Sequence, residues 1–327
     1  TTTTQRMGFL VRTIFRMEWS VNDSTSRWSA VSSATWRNVW PIGISCGLGV
    51  TRAKWTERLT GSEEFEQYIG IDWSGAKGPK LPGLQIAVAQ PGDKPPRLVR
   101  PPEGKWWTRP MVDEWLRHRI RAHRVLVGFD FAFAYAHADL GGYFPETGTD
   151  IDDACSLWSL VEEVCRDVPE LYGAPFYNRK DLPFHRHFLS PKGRGDLFTS
   201  RSRLTEVACA DITWPHPVMK CVGAANVGTG SLAGMRLLHH LKRDLGNHVV
   251  VWPFEAMDGR STLVEIFPRL YFKRARVDPR AWRDPAALNR VLAYYGSRAL
   301  PRSWKLSRED EPDALISAAA LRDLSTK

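Results

Sequence analysis

No apolar run in this chain is long enough to cross a membrane: the longest, such as VLVGF at 125–129, fall far short of the roughly 18 residues that a spanning helix needs. No membrane partner is expected. Cysteine is scarce. Cys46, Cys155, Cys165, Cys209 and Cys221 are odd in number and form no C-x-x-C pair. That argues against a disulfide framework and a cysteine zinc site, and points to a reducing, cytoplasmic compartment. A Walker loop and a complete dinucleotide fingerprint are missing too. The G-x-G at Gly228–Gly230 is not followed by Gly-Lys-Ser/Thr, and it does not complete the dinucleotide fingerprint.

What is present is a basic chain of 327 residues with a formal net charge of +9. The charge is unevenly placed. Residues 1–62 carry +5 and the rest only +4, so the electrostatic footprint for nucleic acid is modest. The first 62 residues begin with four threonines, are rich in Arg, Ser and Thr, and scatter Trp19, Trp28, Trp36, Trp40 and Trp55 among polar residues. They read as a poorly ordered leader, either an organelle transit peptide or a translated upstream segment. Residues 63–327 are expected to hold the folded domain.

Within that domain, QYIGIDWS (67–74), LQIAVAQ (84–90) and RLVRPP (97–102) read as three strands. Thr108 caps a helix that starts at Arg109-Pro110 and keeps Met111, Trp115, Leu116 and Ile120 on one face. RVLVGFD (124–130) is a continuous apolar strand of the kind buried on both faces. A helix is expected at 151–167, in an insertion of about 140–225 that is loop-rich and basic over 176–206. A second helix ends at Gly246, strands follow at 248–254 and 261–267 around an EAMDGR turn, and helices close the chain at 285–295 and 311–324. The predicted class is α/β: a mixed sheet, with a three-strand meander plus parallel strands, flanked by helices.

Four carboxylates stand in costly positions. Asp72 and Asp130 each end an apolar strand, Glu265 sits inside STLVEIF, and Asp313 begins the last helix with Asp310 three residues before it. Buried charges need a partner or a metal, and carboxylate-only ligation suits Mg²⁺ or Mn²⁺. Each acid also has a structural alternative. Asp72 suits a turn and Asp130 a cap, Glu265 can pair with an arginine of the insertion, and Asp313 favours a helix N-terminus.

The blocks YIGIDWSGAKG (68–78), VLVGFDFAFAY (125–135), VGTGSLAGM (227–235), VVVWPFE (249–255), VEIFPRLY (264–271) and DEPDALISAAALR (310–322) resemble, in order, those of the domain-of-unknown-function family numbered 429. That family is regarded as a predicted nuclease group. The resemblance implies a ribonuclease H-like five-stranded sheet with its first and fourth strands adjacent. It also implies a catalytic and metal-binding set of Asp72, Asp130, Glu265 and Asp313, with Asp310 as an extra ligand. Two cations about 3.5–4 Å apart would support hydrolysis of a nucleic-acid phosphodiester. Ser74, Lys77, Arg203, Lys220 and Gly230 are candidate substrate contacts. Trp73, Phe131 and Phe133 either stack on unpaired bases or pack under the sheet. Two rivals stand beside the nuclease. One is a non-catalytic nucleic-acid or protein-binding module; the other is an actin- or sugar-kinase-like nucleotide binder suggested by GIDWSG.

Overall fold

The structure, a computed structural model, describes residues 65–149, 151–223 and 226–326. The expected leader at 1–62 lies outside them. Apolar patterning turns into strand and helix close to where the sequence predicts. β1 (Gln67–Asp72) is buried along its whole length and is followed by β2 (Gln85–Ala89) and the short β3 (Arg97–Val99). α1 (Arg109–Ala122) starts at the Thr108 cap, whose Oγ1 accepts from the Met111 amide at 3.2 Å. β4 (Val125–Phe129) is again wholly buried. The insertion supplies α2 (Ala154–Cys165), α3 (Pro175–Asn178), the hairpin of β5 (Leu189–Ser190) and β6 (Gly193–Arg194), and α4 (Leu204–Cys209). α5 (Val227–Leu245) ends at Gly246, which takes φ 50° as the predicted cap. β7 (Val249–Val251), β8 (Ser261–Glu265), α6 (Pro268–Arg274), α7 (Pro285–Tyr294) and α8 (Asp310–Ser325) complete the order.

The main sheet is mixed and has six strands among the described residues, in the order β3-β2-β1-β4-β8-β7. The first three form the antiparallel meander, while β1, β4, β8 and β7 run parallel. The expected count of five is therefore one short. β7 adds a sixth strand at the edge, and residues 252–260 carry the chain back to pair it with β8 in parallel. Glu255 stabilises that return: it accepts from the Val251 amide at 2.8 Å and from Lys242 at 2.7 Å.

Strand alternation sorts the buried residues into two layers. Ile69, Ile71, Val127, Phe129 and Leu263 pack against α1, α2 and α5. Tyr68, Leu126, Val264 and Ile266 pack against α6, α7 and α8. The approach of α8 is very close. A Cβ on Gly70 would collide with the Ala314 carbonyl, and one on Gly128 with the Ile266 side chain. The two glycines are register partners on β1 and β4. They form a floor on which the Ala-rich helix rests.

Candidate functional site

Register determines which acids meet. Ile71 pairs with Phe129 across the parallel β1–β4 ladder, and the Asp130 amide donates to the Ile71 carbonyl at 3.1 Å. Asp72 and Asp130 are therefore level, one residue on, and by alternation they share the face of Gly70 and Gly128. That is the face α8 covers. Because α8 packs on Gly70 through Ala314–Ala318, its first turn carries Asp313 and Asp310 to the carboxyl ends of β1 and β4. Asp310 lies beside Gly83, where a Cβ would stand 3.4 Å from its Oδ1.

The carboxylates of Asp72, Asp130 and Asp313 have no hydrogen bond or ion pair with any described residue, although Asp72 is only 8% exposed. Burial, then Asp313, Asp130, Asp310 and Glu309, pushes Asp72 well above the usual carboxylate range. Asp130 is pushed up to about 7 by burial and by Glu265. Asp313 is raised by burial, Asp130, Asp310 and Glu309, and Asp310 by burial and then Glu309. Such like-charge convergence without a cationic partner is what a divalent cation relieves. The all-oxygen donor set fits Mg²⁺ or Mn²⁺ in kind. As they stand, no three His, Cys, Asp or Glu side chains among the described residues are close enough together to hold an ion.

Glu265 follows its structural alternative. It pairs with Phe129 in register, so alternation directs it to the opposite face from Asp130. There it accepts from Arg203 at 2.6 and 2.9 Å and from the Phe133 amide at 2.5 Å. Arg203 also binds Glu206 at 2.9 Å. Burial opposes the Arg203 charge, but Glu265 and Glu206 outweigh it and raise its pKa. Arg203 is thus a partner of the fourth acid.

The other candidates lie in the loop after β1 and at the start of α5. Trp73 donates to the Gly230 carbonyl at 3.0 Å, and a Cβ on Gly75 would collide with the Gly230 amide, so loop and helix are in direct contact. Ser74 accepts from the Ala76 amide at 3.3 Å. Lys77 is exposed, and Lys220 is half-buried with its carbonyl accepting from Gly228. Neither lysine side chain has an ion pair among the described residues. Trp73, Phe129, Phe131 and Phe133 form one buried ring cluster, with centroids 5.1–6.2 Å apart. They pack under the sheet, which removes them as a stacking surface.

Sequence reasoning missed Arg109. Fully buried, it donates to the Ser74 carbonyl at 3.0 and 2.7 Å, to Ala76 at 2.6 Å and to Glu170 at 2.8 Å. Burial lowers its pKa to about 10. It clamps the loop that follows Asp72. The only sequence signal was an arginine at a capped helix start, which reads equally as surface charge.

The basic insertion is largely self-neutralised. Arg179 pairs with Asp181, Arg186 with Asp196 and Arg201 with Asp139. Among the described residues, no helix is long and apolar enough to cross a membrane. Compared with known proteins, the chain matches no protein-family model, no curated protein and no solved structure.

Proposed function

We propose that the chain is a ribonuclease H-like, divalent-metal-dependent phosphodiesterase acting on nucleic acid, as its resemblance to the predicted nuclease family implies. One observation carries this reading. Asp72, Asp130 and Asp313 converge, without a partner among the described residues, at the carboxyl ends of two adjacent parallel strands and the start of the helix covering them. Open α/β sheets bind their ligands at such strand ends. The adjacency of β1 and β4 and the leading meander agree with the expected sheet. Asp72, Asp130 and Asp313, with Asp310 beside them, would hold Mg²⁺ or Mn²⁺, which when bound supplies Lewis-acid polarisation and a nucleophilic water. The protein's own part is positional. Arg109 fixes the loop after Asp72, Arg203 ties down Glu265, and Ser74, Lys77, Lys220 and Gly230 border the approach for substrate.

A second reading is favoured by the lack of a closed three-acid group among the described residues: a nucleic-acid-binding module that keeps the fold without cleavage. Thermal unfolding of the full chain with and without Mn²⁺ separates the two. An upward shift in the parent that Asp72→Asn and Asp313→Asn both lose supports the metal site and justifies a panel of DNA and RNA substrates. No shift in the parent, with the variants equally or more stable, would rule out the metal site and leave the binding module.

A further inference from the structure

Two arginines near the site are engaged: Arg203 holds two glutamates and Arg109 holds three backbone carbonyls. Arg274 differs. It is the last residue of α6, and its Nε is buried without a hydrogen-bond partner among the described residues. No carboxylate among the described residues pairs with it. An unpaired, partly desolvated guanidinium is costly to keep unless something occupies it.

One turn earlier, at i−3 on the same helix face, stands Tyr271, 8% exposed. Its hydroxyl makes no hydrogen bond to a described residue, while its carbonyl accepts from the Tyr295 hydroxyl and the Ala275 amide, both at 3.2 Å. α6 begins just beyond the end of β8 and packs on α8; Tyr271 belongs to the buried layer on the sheet face that carries Asp130 and Asp313, and Arg274 follows it one turn further along the helix. Burial raises the Tyr271 phenol, Arg274 opposes the rise and Asp130 adds to it. The hydroxyl is therefore within electrostatic reach of both the guanidinium and Asp130.

We propose that Arg274 and Tyr271 form an oxyanion subsite that receives a phosphoryl oxygen of the substrate beside the Asp72–Asp130–Asp313 cluster. The guanidinium offers a planar fork of donors suited to phosphate, and the phenol adds one more. The identity of the anion rests on the phosphodiesterase reading; the subsite itself rests on the two unpartnered side chains.

The test titrates inorganic phosphate into the full chain by calorimetry, in EDTA and again with Mg²⁺. In at least one condition the parent binds phosphate. Arg274→Gln weakens binding about tenfold or more, and Tyr271→Phe by about three- to fivefold. Arg280→Gln, which removes an exposed cation paired with Asp278, leaves it unchanged. Arg274→Lys keeps the charge and guards against a folding artefact: it retains the parent melting temperature and still loses most of the affinity. Equal affinity in the parent, Arg274→Gln and Arg274→Lys overturns the proposal, as does a parent that binds no phosphate. The Mn²⁺ melting shift is read separately on the same proteins. Arg274-dependent phosphate binding without that shift would sink the metal reading and keep the subsite. A Mn²⁺ shift without Arg274-dependent phosphate binding would do the reverse.

Discussion

Asp72 and Asp130 stand level on neighbouring parallel strands, facing one helix, and neither has a cationic partner among the described residues. Folding therefore favours their protonated forms. For Asp130, raised to about 7 from 3.8, the associated stability is fully present below the ordinary carboxylate pKa and is lost as pH rises towards 7. In EDTA, urea unfolding should show the protein more stable at pH 5 than at pH 8. Asp130→Asn should flatten that difference. An unchanged pH slope in the variant would place the effect elsewhere.

His240 has the opposite chemistry and a higher window. Asp113 at 3.7 Å and Glu162 at 3.3 Å flank it, with Arg236 and Arg117 bound to the same two acids. Its two acidic partners raise it from 6.5 to about 9. Its contribution is complete below pH 6.5 and disappears as pH rises through 9, on the order of 2 kcal/mol at most. Unfolding midpoints at pH 6, 7.5 and 9.5 should fall across this range in the parent, and much less in His240→Gln.

Removing the Arg109 clamp should affect both the fold and the site. Arg109→Ala leaves the carbonyls of Ser74, Ala76 and Glu170 without this donor. The expected loss is about 3–5 kcal/mol. Arg109→Lys should recover little, since one ammonium cannot reproduce a fork that reaches three carbonyls. Denaturant melts give the first result. A weakened Mn²⁺ shift in Arg109→Lys would link the clamp to the carboxylates.

Gly75 and Gly230 touch, yet substitution should treat them differently. A Cβ on Gly75 meets the Gly230 backbone head-on, and Gly75→Ala should cost about 2–3 kcal/mol. A Cβ on Gly230 finds its nearest neighbour at 3.7 Å. Gly230→Ala, inside α5, should be neutral or stabilising by up to about 1 kcal/mol. Melting curves of the two variants decide it. A collapse of Gly230→Ala would mean that this glycine answers to more than packing.

The six strands and the long helices were legible because each carries its own apolar period and its own punctuation. Asp72, Asp130 and Asp313 were legible as charges where the pattern wants none. What was hidden depends on distant partners. Arg203 meets Glu265 from 62 residues away, inside a loop whose arginines look free until Asp181, Asp196 and Asp139 are seen beside them. α6 spans only Pro268–Arg274, too short to show a helical stripe, so Tyr271 and Arg274 carried no signal. The pairing of β7 with β8 is a matter of chain direction, which composition does not encode.

The floor of Gly70 and Gly128 has a consequence beyond packing. The last helix behaves as a ruler laid on the sheet, and the glycines set both its height and its zero mark. Each residue of α8 turns the next by about 100° and advances it about 1.5 Å. A single-residue insertion between Asp313 and the contact at Ala314 would leave the sheet, the floor, Asp72 and Asp130 in place. It would still rotate Asp313 out of the cluster. The meeting of the carboxylates is thus written in two residues that have no side chain at all.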